Sequence, residues 1–447
     1  MKTPICDFVK GYSEKNGVRL HMPGHKGKSF LGFESFDITE IVGADSLYEA
    51  EGIIEESEKN ASELFGSRAT FYSTEGSSQC IRAMIAMIAD EGDEKPLIVA
   101  ARNAHKTFIY AAALMDCDVF WIKEKSDEFT LCRARITPDD LESAIKKAPR
   151  RPSAVYLTSP DYLGGELDIK KLSKIAHSYG VPLLVDNAHG AYLKFLKEPR
   201  HPLELGADIC CDSAHKTLPV LTGGAYLHVS KNAMSDYETR AKSALALFGS
   251  TSPSYLVLES LDAANEYIDG GYPEKLYACI KRMDSLKERL TGLGFKLEET
   301  DPLKLTVKVS DYGYHGREFA DFLEGHNISI EYFDPDFAVM MFTPENSEED
   351  YERLFGAMSS LKRREPLTPR PLKLILPEAV ISPRKALFSS NETVSVENAL
   401  GRILAEPNVS CPPAVSPVFC GERITEEAVD VFKYYGISFV KVINNLL

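Results

Sequence analysis

Short apolar runs of four or five residues recur between residues 96 and 211, with stretches of helical spacing between them. This alternation constrains the chain more than any other feature. Pro96-Leu97-Ile98-Val99-Ala100, Val119-Phe120-Trp121-Ile122, Ala154-Val155-Tyr156-Leu157 and Val181-Pro182-Leu183-Leu184-Val185 read as strands, and residues 107–114 and 169–179 read as helices. Strands that are apolar throughout are buried on both faces. The pattern therefore predicts an α/β fold, a large, mostly parallel sheet covered by helices on both sides.

The rest of the chain is read around that sheet. Residues 1–50 are rich in Gly, Pro and His and weakly periodic, and read as an extended N-terminal arm that needs a surface to lie on. A helix over 56–65 ends at Gly66, a position that favours the left-handed conformation. The sheet domain runs over 51–270 and closes at Gly270-Gly271. A small α/β domain follows over 271–365, with helices 274–293 and 316–324 and strands 305–309, 328–332 and 338–342. The stretch from Glu365 to Pro371 holds three prolines and reads as a linker, and 366–447 forms a last module opened by the helix start Ser382-Pro383.

Composition excludes several classes. With 51 Lys+Arg against 66 Asp+Glu the net charge is −15, which opposes a general nucleic-acid binder. There is no stretch of about 20 apolar residues to span a membrane, and the start, Met1 to Asp7, lacks the apolar core of a secretion signal. Nine cysteines without a C-x-x-C pair read as reduced thiols, giving the expectation of a cytoplasmic protein without a metal centre.

In such a sheet ligands bind at the loops leaving the strand carboxyl ends. Five loops there are polar: Ser73-Thr74-Glu75-Gly76-Ser77-Ser78, Arg102-Asn103-Ala104-His105-Lys106, Thr158-Ser159-Pro160-Asp161-Tyr162, Asp186-Asn187-Ala188-His189-Gly190 and Asp212-Ser213-Ala214-His215-Lys216. A Gly-Ser-Ser turn at a helix start suits a phosphate. A strand-end carboxylate suits a cationic ring nitrogen, a flat imidazole can stack on an aromatic ring, and a desolvated lysine forms a Schiff base. Together these point to pyridoxal 5′-phosphate (PLP).

The same segments resemble the Orn/Lys/Arg decarboxylase family in its short bacterial form. The likeness also takes in Leu20-His21-Met22-Pro23-Gly24-His25-Lys26-Gly27, Asp37-Ile38-Thr39-Glu40, Ser250-Thr251-Ser252-Pro253-Ser254-Tyr255, residues 401–406, Cys411-Pro412-Pro413 and Gly421-Glu422-Arg423-Ile424. The resemblance implies an aminotransferase-like, fold-type I PLP enzyme with small C-terminal α/β domains, built as a homodimer or higher homo-oligomer. Its activity would be α-decarboxylation of arginine, lysine or ornithine, making amines that serve polyamine metabolism. Lys216 matches the Schiff-base lysine and His215 the histidine before it. Asp186 matches the partner of the ring nitrogen, with Ala188 against the ring and His105 stacked on it. Gly76, Ser77, Ser78 and Ser213 match the phosphate site. Thr251 and Ser252 match a segment that reaches the neighbouring subunit's cofactor. His189 is a candidate for the ring oxygen or the substrate carboxylate, and Lys216 or His215 for reprotonating Cα. Glu331 and Asp334 are candidate carboxylates for the substrate's distal cation. Two stretches depart from the family pattern: Asp161 stands where Thr is usual, and Pro412-Pro413-Ala414-Val415-Ser416 stands where Pro-Pro-Gly-Ile-Pro is usual. Another PLP reaction on the same scaffold (transamination, elimination or aldol cleavage) and a non-catalytic PLP-binding regulator are the alternatives.

Overall fold

The computed structural model describes residues 1–89, 95–125, 129–367, 372–373, 376–407 and 413–444. Residues 368–371 of the proline-rich linker, and Cys411 and Pro412, lie outside them. The strands in chain order are β1 Ala69–Ser73, β2 Leu97–Ala100, β3 Asp118–Trp121, β4 Ala154–Thr158, β5 Leu183–Asp186, β6 Ile209–Asp212, β7 Ala225–Val229, β8 Lys304–Lys308, β9 Tyr332–Phe333, β10 Phe337–Met341, β11 Asn391–Ser395 and β12 Phe439–Ile443. The chain divides into two compact units, Met1–Asp90 with Ile169–Glu274 and Glu91–Asp168 with Lys275–Leu447. Neither unit is a continuous stretch of chain.

In the first unit the strand order is β1-β7-β6-β5. β5 and β6 run parallel, with Asp186 beside Cys211, while β7 is antiparallel to both β6 and β1. β5, β6 and β7 are buried at every position, as unalternating apolar runs require. The helix Gly76–Ala89 begins where β1 ends. Its Cys80, Ile81, Ala83, Met84, Ile85, Met87 and Ile88 are all buried, so it is apolar nearly all round. The helix Ile53–Phe65 ends at Gly66 with φ 66°, as its sequence predicts.

The N-terminus differs from the expected extended arm: Pro4–Glu14 is a helix. Ile5 and Val9, one turn apart, are fully buried. The carboxylate of Asp262 accepts from the backbone N–H groups of Ile5 and Cys6 at 2.9 and 3.0 Å, satisfying donors of the first turn. The cap comes from a residue more than 250 positions away, so local periodicity carries little sign of it. Beyond this helix residues 17–50 have no regular helix or strand.

In the second unit β2 lies between β4 and β3, all parallel. Thr137 and Asp140 form a reciprocal capping box at the helix Pro138–Lys147. β10 pairs antiparallel with β8 and β9. The expected strand at 328–332 is reduced to Tyr332–Phe333. The C-terminal residues pair β11 with β12 antiparallel over a core of Val396, Leu404, Val418, Ile424, Phe432 and Val442. No helix among the described residues is long and apolar enough to cross a membrane.

Candidate active site

The first unit brings together most of the expected residues. Lys216 lies on the single-turn helix Ala214–Thr217, directly after β6. Its Nζ is 3.0 Å from Nε2 of His189, which is itself buried. Asp186 ends β5 and is buried. Its Oδ1 accepts the Ala188 N–H at 3.2 Å, and the Cys211 thiol points toward the same oxygen at 3.8 Å. This bond fixes the turn that presents Ala188. His215 is tied back to the chain, with Nδ1 donating to the Gly224 carbonyl at 2.9 Å. In the neutral ring that leaves Nε2 as the acceptor.

Gly76, Ser77 and Ser213, the residues expected to bind the phosphate, lie together. Gly76 has φ 72°, and its N–H donates to Gly223 at 2.7 Å. Gly223 is needed in turn: its φ is 99°, and a Cβ there would lie 2.8 Å from the Thr74 carbonyl oxygen. The Ser213 hydroxyl meets that of Ser77 at 2.8 Å, so β6 and the start of the helix Gly76–Ala89 present hydroxyls together. Ser78, half-buried, follows on the same helix start. Thr251 and Ser252 are exposed on a loop that Ser250 ties to the phosphate turn, its N–H donating to Glu75 at 2.6 Å.

The second unit carries His105. Its Nδ1 accepts the Thr107 N–H at 3.2 Å and so caps the helix Lys106–Leu114. The loop is held by residues distant in sequence. His105 bridges to Val415, and Lys106 N–H donates to the Ala414 carbonyl at 2.7 Å. Arg102 makes a two-pronged pair with the buried Glu422 at 2.8 and 3.0 Å. The guanidinium also lies over the rings of Trp121 and Phe419, 5.0 and 4.8 Å from their centroids. Ala414 occupies the left-handed region at φ 55°. The residue that departs from the family's glycine therefore keeps the backbone a glycine would adopt.

Asp161 is an internal structural acid. It is buried, its Oδ1 accepts the Gly165 N–H at 2.8 Å, and its Oδ2 faces Nε of Arg133 at 3.5 Å. Burial pushes its carboxyl upward, against the pull of Arg133. Glu331 accepts from the Tyr162 hydroxyl. Asp334 accepts the Asp336 and Phe337 N–H groups at 2.9 and 2.8 Å, and burial pushes its carboxyl up to about 7. Both acids line a cavity of ≈ 680 Å³ in the second unit, with Arg317, His315 and Tyr435.

Residues outside the sequence-based candidates also shape the site. Gln79 is buried, accepts from Ser73 and donates to Tyr48 and Leu245. Asp212, His201 and His228 form a buried polar cluster behind β6. The signal in the sequence was a polar residue closing or interrupting an apolar run, as Asp212 and His228 do.

PLP requires an amine for its aldehyde, a carboxylate for its ring nitrogen and N–H or hydroxyl donors for its phosphate. Lys216, Asp186 and the Gly76–Ser77–Ser213 cradle supply that donor set, so the residues fit the group. Fold and donor set define a PLP-dependent enzyme of the aminotransferase-like, fold-type I class.

The comparisons narrow this class. Residues 3–299 match the family model of the Orn/Lys/Arg decarboxylase major domain, and the chain belongs to that family. It is 30% identical to an arginine decarboxylase of Bacillus subtilis (strain 168), over 97% of this chain and 93% of the relative. It is 29% identical to an arginine decarboxylase of Halalkalibacterium halodurans, over 95% and 91%. In structure it is similar to a lysine decarboxylase of Francisella novicida, with TM-score 0.82 and 18% identity, covering 99% of this chain and 81% of that one. The constitutive lysine decarboxylase of E. coli gives 0.79 at 17% identity, over 99% and 82%. The protein is a PLP-dependent amino acid decarboxylase.

Proposed function

We propose that the protein removes the α-carboxylate of a basic L-amino acid, arginine, lysine or ornithine, as CO₂ and releases the corresponding amine. The observation that carries this is the Lys216–His189 contact at the end of β6, beside a buried Asp186, in a chain of this family. When bound, PLP supplies an aldehyde for amino groups and a protonated ring that draws in the electron pair left by CO₂.

The chain's own residues do the rest. Lys216 would hold the cofactor through its amine. Asp186 holds the proton on the ring nitrogen by its negative charge. Gly76, Ser77, Ser78 and Ser213 bind the phosphate, aided by the positive end of the helix they open. By the family resemblance, Ala188 would lie against the cofactor ring and His105 would stack on it. His189 orients Lys216 or the substrate carboxylate. Lys216 or His215 returns the proton to Cα.

The active form is a homodimer or a higher assembly of identical chains. Val18, Leu20, Met22, Phe30, Leu31 and Phe36 are exposed within one short stretch, with Leu20 at 90%. A cluster of this kind marks an association surface, and a second copy covers it. Thr251 and Ser252, exposed on their loop, serve the phosphate site of the neighbouring copy. Replacing Phe30 and Leu31 together by Ser is expected to lower the mass seen by light scattering, with activity falling at low protein concentration. An active wild-type monomer at assay concentration would contradict the assembly.

The deciding experiment is incubation of the PLP-loaded protein with each of the three amino acids, followed by CO₂ and amine measurement. Release of CO₂ with the matching amine supports the reading. A keto acid product without CO₂ would turn it to transamination.

A further inference from the structure

Behind the end of β6, opposite the face that carries Asp186 and Cys211, the structure encloses a polar cluster that the chemistry above does not use. Asp212 is fully buried. Its Oδ1 accepts from Asn187 Nδ2 at 2.7 Å. Its Oδ2 meets Nε2 of His201 at 2.9 Å and Nε2 of His228 at 3.2 Å.

The remaining ring nitrogens are also engaged. Nδ1 of His201 accepts the Leu203 N–H at 3.4 Å, and Nδ1 of His228 meets the Thr70 hydroxyl at 2.8 Å. Thr70 is bonded to Ser67 in turn. A nitrogen that accepts an N–H carries no proton, so Nε2 is the His201 nitrogen that donates to Asp212. The same arrangement suits His228, whose burial pushes its pKa down. Burial works against the Asp212 anion, yet the neighbouring imidazoles of His201 and His228, through charge and hydrogen bonding, hold its carboxyl far below the usual range. The other titratable groups facing it are Cys210, Cys80 and Tyr226, all buried and pushed upward, with Lys194 acting on His228 from outside.

The position of Asn187 gives this cluster a consequence. It sits between Asp186 and Ala188, and its N–H donates to Cys211 at 3.0 Å. Gly190 closes the same turn, its N–H donating to the Asn187 carbonyl, and a Cβ at 190 would fall 2.1 Å from Asn187 Oδ1. The Asn187 side chain therefore fills the inside of the turn that presents Asp186, Ala188 and His189. Asp212 grips that side chain while its own backbone leads through Ser213 to Lys216.

We propose that Asp212 is a positioning residue for the decarboxylation: as a buried anion bonded to Asn187, His201 and His228 it locks the 186–190 turn to the 213–216 turn. It acts through Asn187 and does not touch the substrate. This rests on the decarboxylase reading of the site, yet its test does not depend on turnover alone. His201, Cys210 and Asp212 each place one donor atom within 4.8 Å of the others. The hydrogen bonds already assign the donor atoms of His201 and Asp212, so the clamp needs no metal ion.

The test uses the full-length chain with and without PLP. In nitrogen-15 NMR, Nε2 of His201 and of His228 should each carry the proton that it shares with Asp212. Asp212→Asn puts an amide N–H₂ where the imidazoles donate, so at least one ring should change tautomer. In the PLP-loaded enzyme this variant should lower kcat by about 10–100-fold, the scale seen for groups that orient metal ligands. KM for the amino acid should stay within about threefold, and PLP should bind more weakly.

Asn187→Ala, which leaves the anion and its histidines intact, should produce the same split. The double variant should lose no more than the worse single one, because both cut the same clamp. If Asp212→Asn does not fold, the Asn187→Ala split decides. Wild-type kcat and PLP affinity in a folded variant, additive losses in the double variant, or one equivalent of tightly bound zinc would each overturn the clamp. Absence of CO₂ from all three amino acids in the wild type would overturn the activity instead, while the NMR and PLP-binding results still decide the clamp.

Discussion

Two loops expected to serve one cofactor are held in different ways. The turns carrying Asp186 and Lys216 are braced from behind by Asp212, Asn187, His201 and His228, all fully buried and all close in sequence, with His228 entering from β7. The loop carrying His105 is braced by the backbone of Ala414 and Val415 and by Glu422, more than 300 residues further along the chain. The first brace is a side-chain network, sensitive to which atoms donate. The second is a clasp of backbone pairing, one ion pair and stacked rings, sensitive to whether the C-terminal segment is in place. A defect in the first should strike chemistry, and a defect in the second should strike stability and order.

The most severe break is Lys216→Ala. PLP should still bind through the Gly76–Ser77–Ser213 cradle, but turnover should fall below detection. Borohydride reduction of the wild type followed by peptide mapping should place the cofactor on the peptide containing Lys216. A different labelled lysine would remove Lys216 from its role.

Asp186→Asn should come next. The amide keeps the shape and can still accept from Ala188, but it cannot hold the ring proton. Losing one preorganised electrostatic partner costs about 10²–10³ in rate by analogy with deleted oxyanion donors. Thermal unfolding should barely change, and near-normal kcat would exclude the role.

Glu422→Gln tests the other loop. Breaking a buried ion pair by removing one charge costs about 3–5 kcal/mol, because the remaining charge stays buried. Unfolding of the second unit should shift accordingly, and hydrogen exchange should quicken around 102–106 and 413–422. If only activity fell, with exchange unchanged, the clasp would not be structural.

The smallest effect sharpens the same comparison. Ala414 pays a conformational cost at φ 55°. Ala414→Gly should stabilise the protein by about 1 kcal/mol, less any gain in unfolded-state freedom, since glycine accepts that conformation without strain. A denaturant titration showing lost stability would mean that the Ala414 methyl packing outweighs the backbone term.

The sheet and the polar loops at its strand ends are legible along the chain, because both are local. Buried parallel strands must be apolar throughout, and the loops that follow them must carry whatever polar chemistry the fold performs. Ser77, Asp186, Ser213 and Lys216 therefore stand out as candidates at the ends of such runs, and β5 and β6 fall where their apolar runs lie. Other features rest on partners far apart in the chain. The Pro4–Glu14 helix depends on a cap from Asp262, and the His105 loop on Ala414 and Glu422. Asp161, which stands where the family usually has Thr, is paired by the fold with Arg133 and Gly165. A residue type states which bonds a side chain can make. Which of them it makes depends on burial, where every polar group must find a partner, and that partner is set by packing rather than by neighbourhood in the chain.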